Sequence, residues 1–167
     1  MMQNGLSDER LEASLVGSPE YYMHAGNTNK AWVDQMYLDL LNRAADPQGE
    51  QAWLTALQNG AQRIDIAYGF AASAEREGIR VRADYQTFLN RSPSQSEVDA
   101  WVQQFESGRA VNEDVVAGFA ASQEYFLRHL NNSSDWLLAV YHDILNRSAD
   151  DAGYAASLAY LYSTESH

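Results

Sequence analysis

The sequence predicts an all-α fold, a helical repeat array of about three units of two to three helices each that begins and ends on half units. Three observations carry that prediction. Alanine and leucine outnumber valine and isoleucine, and the 167 residues hold only 3 prolines, a bias toward helix over strand. Apolar residues recur at three- and four-residue spacing, the period of a helix with one face turned to a core. A frame of tyrosine, two apolar residues one turn later and Asn-Arg is written three times, at Tyr37–Arg43, Tyr85–Arg91 and Tyr141–Arg147, each followed by a polar turn. The spacing of these copies is that of helical repeat proteins.

A chain of this length is enough for one domain with a sizeable core. Residues 1–167 read as a single helical repeat domain, with a half unit over 1–29, a first full unit over 30–78, a second over 79–131 and a partial third over 132–167. In the half unit, Asn4-Gly5 signals a turn and Ser7-Asp8-Glu9 opens a helix with acidic residues in its first turn. Leu11 and Leu15 share a face of that helix. Ser18 at the N-cap, Pro19 at the first helical position and Glu20 just inside start the next one, which ends in a loop through Gly26-Asn27-Thr28-Asn29. The opening half unit either packs against the closing one or marks a piece cut from a longer array.

In the first full unit, Trp32, Val33, Met36, Tyr37, Leu40 and Leu41 make 30–43 an amphipathic helix. Asp46-Pro47-Gln48-Gly49 ends it and caps a second helix with Ala52, Trp53, Ala56 and Leu57, stopped by Asn59-Gly60. A third carries Ile64, Ala67, Tyr68, Phe70 and Ala71 and ends at Ser73-Ala74-Glu75. The second unit repeats this plan with a weaker first helix, about 79–90, whose stripe is interrupted by Arg80, Arg82 and Asp84. Its turn, Ser92 to Glu97, departs from the Asp-rich version, and its later helices carry Val98, Trp101, Val102 and Phe105, then Val115, Val116, Phe119 and Ala120. After the polar loop Asn131 to Asp135, the third unit matches the first from Trp136 to Leu145, and its turn keeps Asp150 and Gly153 in the places of Asp46 and Gly49.

The repeated polar residues are read as joints. Arg43, Arg91 and Arg147 recur at one place in the frame, and Glu20, Glu75 and Glu124 recur in a Ser-x-Glu step. A catalytic group has little use for equivalent copies in one chain, so each arginine is expected to tie helix ends, through carbonyls or a glutamate. Asp46, Asp150 and Asp151 invite a calcium reading, but neither turn has the alternating oxygen ligands of an EF-hand loop, and helix capping explains them more simply. The histidines, His24, His129, His142 and His167, show no two-ligand spacing on one helix face. Trp32, Trp53, Trp101 and Trp136 sit on apolar stripes and belong to a core. No nucleophile elbow, phosphate loop or glycosidase-like carboxylate pair stands out, and the expectation is that the chain is not an enzyme.

Composition bounds the partners. At 46% hydrophobic and 11% aromatic the chain has the means to bury a core and is not a disordered segment. A net charge of -12, from 23 acidic and 11 basic residues, repels phosphate backbones and anionic lipid. Nucleic acid is therefore not an expected partner. No apolar run reaches the roughly 20 residues that span a bilayer, and no basic-then-apolar signal peptide is read at the amino terminus. The sequence has 0 cysteines, which removes disulfides and thiol chemistry from consideration.

With the units laid out, the chain resembles a bacterial family known as domain of unknown function 4214. Its pattern of Tyr-x-x-Leu-Leu-x-Arg-x-x-Asp-x-x-Gly, an apolar Trp helix, Gly, and a helix ending in Ser-x-Glu-Tyr/Phe is matched by Tyr37 through Glu75. It is matched again by Tyr85 through Phe126, and in part by Tyr141 to Gly153 and Ser18 to Tyr21. The second copy departs at Ser94 and Glu97, which replace the Asp and Gly of the turn. The resemblance implies an all-helical module of large secreted or surface-layer (S-layer) proteins, extracellular or at the cell surface, with no catalytic residues to carry over. The expected role is a non-catalytic interaction or anchoring (adhesion) module, part of a larger protein, that binds cell-surface polysaccharide or a partner protein. The alternative is a structural spacer or assembly domain with no ligand of its own. No cofactor is expected, calcium being the one candidate, and the ligand-binding residues and oligomeric state are left open.

Overall fold

The computed structural model describes residues 7–130 and 132–164, and its elements there are eleven α-helices without a strand. The Asn4-Gly5 turn, Asn131 and His167 lie outside the described residues. The helices are α1 (Asp8–Val16), α2 (Pro19–His24), α3 (Asn29–Leu41), α4 (Pro47–Gln58), α5 (Arg63–Ala71), α6 (Ala74–Leu89), α7 (Gln95–Glu106), α8 (Asn112–Ala120), α9 (Gln123–Arg128), α10 (Ser133–Asp143) and α11 (Asp151–Thr164). The fold is all-α. The chain divides into two compact units on either side of the Arg80–Val81 bond, inside α6.

The core of the first unit is built on α3, whose Trp32, Val33, Met36, Tyr37, Leu40 and Leu41 are all buried, with Ile66, Ala67 and Phe70 of α5 and Ala13 and Val16 of α1. α1 packs chiefly against α5. The two run antiparallel, since Gly17 at the end of α1 meets Ile64 at the start of α5 while Arg10 lies over the ring of Tyr68, at 5.3 Å. Small residues set their spacing. A Cβ on Gly17 would stand 2.8 Å from the Ile64 Cα, and Ala13 and Ala67 are buried between the helices. The opening helix thus has its packing partner within the first unit.

The core of the second unit gathers Val81, Tyr85, Phe88 and Leu89 of α6, Val98 of α7, Val115 and Phe119 of α8 and Tyr125 of α9, with Trp101 and Trp136 packed against them. The edge-to-face pair of Tyr37 and Phe70 in the first core, 4.8 Å apart at 83°, has its counterpart in Tyr85 and Phe119, 4.7 Å apart at 82°.

One element differs from the sequence expectation. The helix read over about 79–90 begins at Ala74, because the stretch from Ser73 to Tyr85 is too short for the loop that separates α2 from α3. That loop is made by Gly26 at φ 110° and Asn27 at φ 57°, both left-handed. Without it, the counterparts of α2 and α3 run together as α6.

Candidate functional site

Each Asn-Arg is the end of a helix. α3 stops because Asn42 turns left-handed at φ 55°, a conformation asparagine tolerates and one that closes a helix. Asn90 and Asn146 do the same at φ 52° and 46°. In all three copies the arginine N–H then donates to the carbonyl of the frame's tyrosine: Arg43 to Tyr37 at 3.4 Å, Arg91 to Tyr85 at 3.5 Å and Arg147 to Tyr141 at 3.2 Å. This turn lays each guanidinium over the same tyrosine ring, at 5.0, 4.7 and 4.9 Å.

From that position the three arginines reach different partners. Arg43 forks onto Glu75, Nε donating to Oε1 at 2.6 Å and Nη2 to Oε2 at 2.9 Å. Arg91 forks onto Glu124 at 2.6 and 3.0 Å and also takes Glu97, with Nη2 to Oε1 at 2.7 Å. Arg147 has Asp150 at 3.4 Å, and no glutamate bridges it among the described residues. The ionic fork raises the Arg43 pKa and lowers that of Glu75, while Arg91 holds Glu124 below its ordinary value. Glu97 is lowered to about 2, first by Arg91 and then by the Ser94 cap. Glu75 and Glu124 stand in the first turn of helices capped by Ser73 and Ser122, which accept from the N–H of Arg76 at 3.2 Å and of Tyr125 at 3.1 Å. Glu20 occupies the same place in α2, capped by Ser18, but is exposed, with His24 at 3.9 Å.

The aspartates cap helices. Asp46 and Asp150 accept from the N–H of Gly49 and Gly153, each at 2.8 Å. A Cβ on Gly49 would come within 2.5 Å of the Tyr37 hydroxyl, so glycine is what lets the tyrosine tip reach the turn. The second copy solves the same problem with a capping box, Ser94 and Glu97 bonding reciprocally. Asp151 opens α11 within its first turn. Among the described residues no group of three or more His, Asp or Glu is placed to hold a metal ion.

A second cluster was not foreseen as a site. In the first unit Arg76 and Arg80 of α6 converge on Glu12 of α1, Arg80 adding Glu77 at 2.6 Å and Glu9 at 3.7 Å. Arg76 also donates to the Leu40 carbonyl at 3.1 Å. Glu77 is only 4% exposed, and its Oε2 is buried with no hydrogen-bond partner. Burial raises its pKa to about 7, although Arg80 pulls the other way. The faint sequence signal was the charge at Arg80, in the slot where the other copies carry Trp32 and Trp136. Those indoles donate to Val16 O at 2.9 Å and Ala120 O at 2.8 Å, and Arg80 Nη1 donates to the corresponding carbonyl, Ala71 O, at 2.9 Å. The arginine therefore replaces a tryptophan as the donor to one recurrent carbonyl.

The second unit also bears an open apolar groove between α10 and α11. It has a volume of about 400 Å³ and is lined by Trp136, Leu137, Ala156, Ser157, Tyr160 and Leu161. A neighbouring hollow of about 310 Å³ shares Trp136 and Leu161 and adds Ala121, Phe126 and Ser133. Tyr160 is 70% exposed.

Capped helices and the arginine forks between them define an all-helical protein. The chain belongs to the family described as a domain of unknown function, DUF4214, whose model matches residues 12–79 and 81–129. The two matched segments meet where the two compact units divide. No curated protein and no solved structure matches the chain. No helix among the described residues is long and apolar enough to cross a membrane.

Proposed function

We infer that the chain is a non-catalytic interaction module and that the groove between α10 and α11 is its contact surface. The observation that carries this reading is the groove's chemistry. Its lining has no charged side chain, its polar side chains are Ser157 and Tyr160 with Ser122, Gln123 and Ser133 in the adjoining hollow, and Tyr160 stands largely in solvent. Such a concavity suits the apolar face of a protein helix. The groove itself offers sugar hydroxyls only Ser157 and Tyr160, the other polar groups lying in the adjoining hollow. The first unit supports the choice of a helix, since there Gly17, Asn29 and Leu57 stand in the places of Ala121, Ser133 and Leu161. The loop from Gly60 to Gln62 and the first residues of α5, Arg63 and Ile64, form the facing wall of the hollow there, with Ile64 against Gly17.

The setting we infer is the exterior of a bacterial cell, within a larger secreted or surface-layer-type protein. The family resemblance and the acidic charge support that setting. A cell-surface polysaccharide is the other ligand class, and a structural spacer is the alternative function, favoured by the structural use of the arginine joints.

Isotope-labelled protein titrated separately with an α5 peptide (residues 60–73) and with cell-wall oligosaccharides, with and without calcium, separates these. The Trp136 indole resonance is expected to move with the peptide. Movement with the sugar alone transfers the groove to glycan binding, and movement with neither leaves the spacer.

A further inference from the structure

The antiparallel α1·α5 pair of the first unit joins two helices that are counterparts of one another. Each precedes a serine-capped step, Ser18-Pro19-Glu20 after α1 and Ser73-Ala74-Glu75 after α5. α8 is the third helix of this kind, preceding Ser122-Gln123-Glu124, and the described residues give it no such partner. The consequence is visible in burial. Ala13 of α1 is 1% exposed, whereas Ala117, its counterpart in α8, is exposed, as is Ala121 in the place of Gly17. At the N-cap of α8, Val111 is 53% exposed, in the position from which Gln62 lines the hollow of the first unit.

We propose that the second unit pairs with a second copy of this chain, α8 lying antiparallel on α8 of the other copy, with Val111 of each covering the Trp136–Leu161 hollow of the other. The occupant is argued from the molecule itself. An antiparallel pair of equivalent helices is the relation a twofold axis creates, and the first unit already contains that pair within one chain. The contact of Gly17 with Ile64 maps onto Ala121 with Glu113 of the second copy. Residue 117, midway between them, then faces its own copy across the axis. The pairing is weaker than α1·α5, because Ala121 adds a methyl group where Gly17 has none and Glu113 replaces Ile64. A surface of two nine-residue helices and their flanks falls in the small, transient class of interface. The proposal rests on reading the groove as a site for a protein helix and names the helix.

The chain has 0 cysteines, so a single introduced thiol reports the pairing without background. Ala117→Cys in the full chain is expected to oxidise to a disulfide-linked dimer at least tenfold faster than Gln103→Cys, an exposed position on α7. Adding Val111→Asp, whose site is also solvent-exposed, should abolish the advantage while leaving the circular dichroism spectrum unchanged. Equal oxidation rates for the two thiols, or an advantage that survives Val111→Asp, overturns the proposal. The α5-peptide titration is the independent arm. A Trp136 shift there with equal oxidation rates removes the self-pairing and leaves the groove reading in place.

Discussion

The two units build the same step with opposite chemistry. After Ser122 the second unit carries Tyr125 and, on the next helix, Trp136, packed in or against its core, with Phe126 lining the hollow beside them. After Ser73 the first unit carries Arg76, Glu77 and Arg80, an ionic set tied to Glu12 and Glu9. Both sets meet one demand, since the last carbonyls of the preceding helix, Ala120 and Ala71, need a donor. An indole supplies it in one unit and a guanidinium in the other. The indole brings a single donor and apolar bulk. The guanidinium brings a charge that has to be neutralised, and the first unit recruits α1 for that purpose. The ionic version therefore couples more of the chain to one residue and makes the first unit sensitive to pH.

The difference can be broken most severely at Glu12. Glu12→Ala leaves Arg76, largely buried, without a carboxylate and Arg80 with only Glu77 and Glu9, and is expected to destabilise the first unit by about 3 kcal/mol. In chemical denaturation it should unfold ahead of the second unit. A single transition with an unshifted midpoint would show that α1 is held by apolar packing alone.

The pH dependence sharpens the comparison. Glu77 has a folded pKa of about 7 against an ordinary 4.5, so its contribution is fully present below pH 4.5 and is lost as pH rises through 7. The shift corresponds to about 3 kcal/mol, and Glu77→Gln should flatten that part of the stability–pH curve. The Arg91 joint runs the other way. Glu97 and Glu124 have lowered pKa values, so their contribution is present above pH 4.5 and disappears as pH falls toward 2. Thermal melts of wild type and Glu77→Gln between pH 2 and 8 check both slopes, and parallel curves would remove Glu77 from the account.

The smallest effects concern the joints themselves. They are partly exposed, and solvent screens them. Arg91→Ala loses two carboxylate partners and should cost about 2 kcal/mol, with Arg43→Ala, which loses one fork, at about 1 kcal/mol. Arg147→Ala, whose partner is Asp150, should cost least. Melting temperatures that do not follow this order would mean that stacking on the tyrosine ring, common to all three, outweighs the ion pairs.

Much of the joint was legible because it is local and repeated. Asn42, Asn90 and Asn146 end helices by their own backbone preference. Asp46 and Asp150 cap the next helix three residues on, and Arg43 reaches a glutamate that the sequence repeats in register with it. Glu20 was placed in the same set by position alone, yet the structure gives it His24, since no Asn-Arg turn precedes it in this sequence. Arg80 read as a flaw in an apolar stripe. Its role was hidden because the carbonyl it serves belongs to another helix, and Glu12 lies 68 residues away. Charge complementarity identifies a class of partner but not which acidic residue of the 23 in the sequence it is.

By itself, then, the sequence determined the helices, their caps and the three arginine turns, because each depends on residues within a turn or two of one another. The tertiary structure decided what crosses between helices. It brought α1 against α5 through Ala13 and Gly17, buried Glu77 beside Arg80, and left α8 and the Trp136–Leu161 groove open. Those outcomes turn on which surfaces meet and how closely, and helical periodicity specifies only that each helix has a face to bury.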